Sequence, residues 1–545
     1  MSARPTEDWL RAAGRGEPVW LGDVKAACAA DPEAETLILR LTELDGSARD
    51  FPLRLPPWEG EAERAFVLEY LSACVFNILS ALSGRGVCFY YHRGDARIEK
   101  LLDELERVLQ LDEKPRSGCG KAVTVAERLS GGAFRFGREP LSAYVPLPAE
   151  TGKETNGGLA GMLRRAVGRA DGLRCCGLDV GGTDIKLAMS ENGRLLLTRE
   201  YDWDPSAFRS AEDLIAPILR LTEEAACACG ARSGFDAIGL SFPDVVIRNR
   251  ILGGETPKTR GMRESCGADY EKEFSKISGL AERLRASCAP GGCVAVTNDG
   301  NMAAVTYAAE LACSGNDAQL EHGVFAHTLG TDLGSGWLLP DGSVPELPLE
   351  MYDFLTDLGS YPQRELPPGD LRSVRNENSG LPGARRYLGQ AACFRMAQEL
   401  DPAMLDGFAV TEGEVLRIAS GPNDLRKPCL EHLMALAEAG RPEAEEIFRR
   451  VGRHLGQLSR EMQEILKPET NRRCLFGRFV KRPGCFRLIC EGCAEVLPEL
   501  ELVPADENLA ASPLMRQLAE RKDATVAQFG QAVGAIYYAL MEEEA

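Results

Sequence analysis

Apolar residues along this chain fall into short runs and helically spaced sets. In the first 140 residues, Leu37–Leu41 and Val87–Tyr91 read as short strands. Between them, Glu61–Leu82 carries Phe66, Leu68, Leu71, Val75, Ile78 and Leu79 at helical spacing and stops at Gly84. Ile98–Leu109 is amphipathic, with Leu101, Leu102, Leu105 and Leu109 on one side. These elements predict an α+β module over residues 1–140. From Gly137 to about Gly172 the periodicity weakens and prolines and glycines accumulate. That predicts a linker over 141–172, with a short helix near Met162–Val167.

Beyond the linker, strand-like and helix-like segments alternate. Leu178 and Val180 belong to a buried strand, Gly181-Gly182 to a tight bend, and Leu187 and Met189 to a returning strand that ends at the hairpin signal Asn192-Gly193. A helix over Ala211–Cys229, a strand over Ala237–Ser241 and a turn at Phe242-Pro243-Asp244 follow. Next come a strand at Val294–Thr297, a helix at Met302–Ala312, and strands at Val324–Leu329 and Trp337–Leu339. Helices fill Arg385 to about Leu466, strands are expected at Cys474–Phe476 and Phe486–Ile489, and a last helix spans about Thr525–Met541. Such alternation predicts an α/β fold with internal sheets.

Composition narrows the function classes. A chain of 545 residues is too long for one core, and about two to four domains are expected. The formal net charge of −19 argues against nucleic acid as a partner, and no basic helix-turn-helix stands out in the first module. No apolar run approaches the roughly 20 residues that span a bilayer. Met1–Trp9 is charged and lacks the apolar centre of a secretory signal, so a cytoplasmic protein is expected. The 18 cysteines are scattered, and Cys28, Cys74, Cys88 and Cys313 sit in apolar runs as small reduced hydrophobes. Cys474, Cys485, Cys490 and Cys493 form a loosely spaced zinc candidate, although Cys485 and Cys490 flank an expected strand.

Four stretches carry candidate chemistry. Asp179 lies within an apolar run, where an unpaired carboxylate is costly to bury, and is followed by Gly181, Gly182, Thr183 and Lys186. A second turn, Gly330-Thr331-Asp332-Leu333-Gly334-Ser335-Gly336, also follows a strand and also carries a threonine. Either turn alone reads equally as an ordinary hairpin corner; as a pair they suggest two sub-domains offering N–H groups to one polyphosphate. Asn298-Asp299 stands at a strand end before a helix, where a carboxylate projects into a ligand crevice or merely caps the helix. Gly530 and Gly534 in the last helix suit close packing, of a flat ring or of another helix.

The ordered set Leu178-Asp-Val-Gly-Gly-Thr-Asp-Ile-Lys186, Gly239-Leu-Ser-Phe-Pro243, Thr297-Asn-Asp-Gly-Asn301 and Leu329-Gly-Thr-Asp-Leu-Gly-Ser-Gly336 resembles the ROK family of sugar kinases and sugar-responsive repressors. The resemblance covers roughly residues 172–545. It implies the two-lobed actin/hexokinase-like, ribonuclease H-like fold, with residues 173–297 plus 526–545 as the first lobe and 298–525 as the second. It implies that Asp179 organises Mg²⁺ through water and that Gly181–Thr183 and Gly330–Gly336 hold the phosphates of ATP. Asp299 would be the base for a sugar hydroxyl, and Gly477, Gly530 and Gly534 would lie near the adenosine. On the sugar side, Asn298, Glu350, Asp353 and Lys258 are the matching positions. The family often carries a His/Cys zinc site; here its histidine aligns with Asp353 and its thiolates with Glu377, Ser379 and Ala384, so no structural zinc is expected. Lys258 and Arg260 replace a sugar-contacting asparagine. They favour an anionic acceptor or are solvated loop charges. Asp332 replaces a glycine and would repel a triphosphate unless Mg²⁺ intervenes.

Together these readings point to an ATP- and Mg²⁺-dependent carbohydrate kinase whose partners are a small sugar or sugar derivative and a nucleotide. A non-catalytic sugar or nucleotide sensor, or another ATPase or phosphatase of the superfamily, is the competing expectation. The resemblance also implies a homodimer.

Overall fold

The computed structural model describes residues 5–148, 158–182, 184–228, 234–254, 257–330, 332–360, 366–367, 369–375, 380–419 and 424–542. Its first sheet has the order β2-β1-β3-β4, with β1 at Glu35–Thr42, β2 at Ala48–Leu55, β3 at Gly86–Tyr91 and β4 at Arg135–Pro140. Leu37, Leu39 and Leu41 of β1 alternate inward, the period of a half-buried strand. The helix Glu61–Leu82 is buried on nearly every side, with 16 of its 22 residues inaccessible. Its sequence spacing shows one apolar face; small or compact residues such as Ser72, Ala73 and Ser80 admit a second layer. By length and composition this helix would pass for a membrane span, which the run-length expectation overlooked. Yet 83% of that window is buried inside the fold, as a core helix is.

The first lobe is built on β5 (Arg174–Val180), β6 (Asp184–Glu191), β7 (Arg194–Asp202) and β8 (Phe235–Phe242), with a two-residue ribbon β9–β10 (Val246–Ile247, Arg250–Ile251) and then β11 (Cys288–Asn298). The order is β11-β8-β5-β6-β7, antiparallel along β5-β6-β7 and parallel across β5-β8-β11. The second lobe repeats the scheme without its outermost strand. β12 (Val324–Leu329) and β13 (Leu333–Leu338) form the antiparallel hairpin. After the small hairpin β14–β15 (Ala409–Glu412, Val415–Ile418), β16 (Arg472–Phe476) and β17 (Glu501–Pro504) add in parallel, giving β13-β12-β16-β17. This pairing of two similar sheets is the actin/hexokinase-like architecture. Each glycine turn closes the first hairpin of its lobe: Val180 pairs with Ile185, and Leu329 with Leu333.

Two helices join the lobes. The terminal helix Val526–Glu542 lies directly on β5 and β8, because Gly177 and Gly239 have no side chain there. A Cβ on either would stand 1.8 Å from the carbonyl oxygen of Ala532 or Ala535. The helix Asp299–Ser314 packs on it through Gly534, where a Cβ would meet Thr306 Oγ1 at 1.8 Å. The helix Leu159–Arg169, longer than the sequence suggested, docks on both and donates from Arg169 Nη1 to the Leu540 carbonyl at 2.7 Å.

Residues 5–140 share one continuous apolar core with the helical part of the second lobe: Leu37, Phe66 and Leu79 belong to the same cluster as Phe394, Leu430, Val451 and Leu488. One expected element is corrected. Phe486–Ile489 is not a strand but lies within the helix Pro483–Val496. The apolar run alone suggested a strand, yet Cys485, Leu488, Ile489, Gly492 and Cys493 bury one helical face, and Pro483 starts the first turn. Cys474 sits apart on β16, and among the described residues no three His, Cys, Asp or Glu side chains form a metal-holding group.

Candidate active site

The ends of β5, β8 and β11 from one lobe and the β12–β13 turn from the other face a single cavity of about 370 Å³. Asp179, Gly181, Asp244, Lys258, Asn298, Asp299, Gly330, Asp332, Gly334, Glu350, Tyr352, Arg385 and Gln531 are among its walls. The two glycine turns, spaced far apart in sequence, therefore open onto one space with Asp299 between them. Each turn is closed by its own backbone: Gly181 N–H donates to the Asp184 carbonyl at 2.8 Å, and Gly330 N–H to the Asp332 carbonyl at 3.1 Å. Those two N–H groups are thus spent within the turns, and the surface offered to an anion is the exposed tip at Gly182 and its counterpart. A Cβ on Gly330 would meet nothing within 4 Å, and one on Gly182 would first meet Lys258 Cε at 4.0 Å. Thr183 and Thr331, expected to bind phosphate, lie outside the described residues, as do Glu377 and Ser379.

Asp179 ends β5 opposite Ser241, whose hydroxyl donates to its Oδ1 at 2.8 Å. Burial, with the Asp299 charge opposing it, raises the Asp179 carboxyl to about 6. Asn298 caps the helix Asp299–Ser314: its Oδ1 accepts from Gly300 N–H at 2.9 Å, and its Nδ2 donates to the Asp244 carbonyl at 2.9 Å. Capping and cleft placement are therefore not alternatives; the cap fixes Asp299 as the first helical residue, half-buried in the cavity wall. Burial lifts the Asp299 carboxyl above its ordinary value, and Lys258 offsets part of that. Asp299 is aimed by close backbone packing beneath it. A Cβ on Gly300 would lie 2.1 Å from the Ser335 oxygen, and one on Gly336 1.9 Å from the Gly300 oxygen.

Asp244, read from the sequence only as part of a turn, is buried and accepts from Val245 N–H at 2.7 Å and Gly254 N–H at 3.0 Å. Lys258 is the cation common to the surroundings of Asp244, Asp299 and Asp332. Arg260 points away and pairs at the surface with Glu264 at 2.9 Å, so one of the two loop cations enters the cleft and the other is a solvated charge. Asp332 is paired with Arg385 at 2.7 Å, and the same guanidinium lies 5.4 Å from the Tyr352 ring centre. This pairing neutralises the aspartate that would otherwise oppose a triphosphate. Nothing local marks Arg385 in sequence, since it arrives from a helix 53 residues away. Gln531 reaches the cavity from the terminal helix with a buried Oε1 lacking a hydrogen-bond partner.

Several expected site residues are not on this wall. Lys186 sits across the ladder from Asp179 and pairs with Asp184 and, at 3.8 Å, Glu200. Gly336 and Gly534 are at the helix contacts described above. Gly530 faces Met515 Cε at 3.6 Å, and Gly477, with φ of 99°, donates its N–H to Glu507 at 2.7 Å. Asp353 stands behind Glu350, against Gly383.

No family model matches the sequence, and no curated protein does. Solved structures do match in fold search. The structures this chain resembles are ROK-family proteins. A ROK hexokinase from Thermus thermophilus is 19% identical over 68% of this chain and 99% of its own, with a TM-score of 0.41. A ROK glucokinase from Streptomyces griseus, solved with glucose and AMPPNP, is 18% identical over 63% of this chain and 97% of its own, at 0.40. A ROK transcriptional regulator homologous to the E. coli MLC protein is 15% identical over 68% and 80%, also at 0.40.

Proposed function

We propose that this protein transfers a phosphoryl group from ATP to a hydroxyl of a sugar or sugar derivative, with Asp299 as the general base. The observation that carries this reading is the convergence of both glycine turns and Asp299 on one cavity between the lobes. Phosphoryl transfer asks a protein mainly for positioning and charge balance, and these walls offer both. Asp179 would hold Mg²⁺ through water, and the tips at 181–183 and 330–334 would hold the phosphates. When bound, Mg²⁺ and ATP supply the transferable group and the positive charge that steadies it. The open space at Gly182 and Gly330 fits that role, as does the unpartnered Gln531 oxygen.

The chain's own residues do the rest. Asp299 Oδ2 accepts the acceptor hydroxyl's proton while its Oδ1 stays fixed on Gly300 N–H. Lys258 restrains the repulsion among Asp244, Asp299 and Asp332. Asp244 and Glu350 present carboxyl oxygens suited to hydroxyl donors, so this wall favours a neutral polyol over a sugar acid.

Coupled assay of ADP release against neutral sugars, amino sugars and sugar acids tests the reading. Acceptor-dependent release is expected; acceptor-independent release would mean an ATPase, and tight sugar binding with no release a sensor. In the active protein, Asp299→Asn is expected to lower turnover by about 10² to 10⁴ with nucleotide KM nearly unchanged. Retention of activity within about threefold would remove Asp299 from the role.

A further inference from the structure

The stretch Leu349–Leu358 of the second lobe brings Glu350 and Tyr352 to the cavity, and it is held by the first 140 residues. Leu349 N–H donates to the Ala81 carbonyl at 3.2 Å and Glu350 N–H to that of Ser80 at 3.0 Å, both in the last turn of the helix Glu61–Leu82. Asn77, one turn earlier and fully buried, grips Leu355 like a paired strand: its Oδ1 accepts from Leu355 N–H at 2.8 Å, and its Nδ2 donates to the Leu355 carbonyl at 3.1 Å. The same Nδ2 reaches Glu461 Oε1 at 3.1 Å, and Glu461 is paired with Lys25 at 2.8 Å. Farther along, Leu21 N–H donates to the Thr356 carbonyl, Leu358 N–H to that of Val19, and Val19 N–H to Asp357 Oδ1, each at 2.9 Å.

An apolar interface alone would bury these surfaces without fixing their register. Here every second or third residue of the stretch is fixed by a directional bond, one of them amide-to-backbone in both senses. The residue before Glu350 is also strained: Leu349 has φ of 53°, a conformation a branched side chain adopts only when its surroundings impose it. The bond from Leu349 N–H to Ala81 is part of that imposition.

We propose that residues 5–140 are a built-in positioning element for the acceptor wall, and that Asn77 is its main positioning residue. This rests on the kinase reading for what the wall binds, but not for the clamp itself. A site held to within a fraction of an ångström needs such a supporting shell.

The test uses the full chain with Asn77→Ala, Asn77→Asp and, as a control, Leu102→Ala, which cuts the module's core without touching the stretch. For Asn77→Ala, acceptor KM should rise about tenfold or more while nucleotide KM stays within about twofold. Amide exchange over 349–358 should quicken at least about tenfold. Asn77→Asp keeps the acceptor for Leu355 N–H but faces Glu461 with a second carboxylate, and should fall between; it also serves if the alanine variant does not fold. Leu102→Ala should lower thermal stability without the selective change in KM or exchange. The proposal is overturned if exchange over 349–358 is unchanged in both Asn77 variants, or if Leu102→Ala reproduces the selective effect. Should the wild-type protein phosphorylate no acceptor, the kinase reading fails, while exchange at Leu349, Glu350 and Leu355 still decides the clamp.

Discussion

Glu350 sits where burial raises its carboxyl to about 8, with Asp244, Asp353 and Asp299 adding to the rise and a hydrogen bond from Tyr352 opposing it. Its folded-state value lies above the ordinary 4.5, so ionising it weighs against the fold. That weight is absent at low pH, grows as pH climbs from about 4.5 and is complete above about 8. Glu350→Gln should therefore gain stability over the wild type by a margin that widens across this window and then levels. Melting temperatures measured from about pH 5 to 9 check it, and a margin independent of pH would mean that the carboxyl is solvated. At this scale the sequence was partly legible. Asp179 and Asp299 stood out because each breaks an apolar run or starts a helix. Asp244 hid inside a turn signal and Arg385 inside a helix. Their relevance comes from the partners they meet, Gly254 and Asp332, and no local pattern carries that.

Among elements, the helix Asp299–Ser314 is set by contact between backbones, with Gly300 and Gly336 each lacking the atom that would separate them. Gly336→Ala puts a methyl group 1.9 Å from the Gly300 oxygen, which must shift the first turn of the helix and Asp299 with it. Turnover should fall by about tenfold to a hundredfold, with a smaller change in KM, because misplacement of the base acts on the chemical step. Steady-state kinetics beside a thermal melt check this; unchanged turnover would show that the helix tolerates the intrusion. The second glycine turn was legible as a motif, but the role of its last glycine was not. In a pattern Gly336 looks like its neighbours Gly330 and Gly334, whereas in space it serves the helix. The helix Pro483–Val496 was misread for a related reason, since four apolar residues in a row satisfy a strand template before the wider helical spacing is counted.

Over the whole molecule, the shared core means that residues 5–140 and the second lobe should lose structure together. Calorimetry should show them melting in one transition, with amide exchange of β1 and of the helix Pro442–Leu466 opening at similar free energies. Separate opening of the first 140 residues would show that the joint core contributes little. The two-lobed plan was legible because strands, glycine turns and helices alternate in order. The union of the first module with the second lobe was not, because it depends on the far side of the helix Glu61–Leu82 and on backbone partners some 270 residues away, such as Asn77 and Leu355. The terminal helix carries one more implication. It alone covers Gly177 and Gly239, yet it is made by the ribosome long after them. The strand pair that ends in Asp179 therefore leaves the exit tunnel bare, and through most of synthesis the nascent chain presents an unshielded glycine surface to whatever chaperones are at hand.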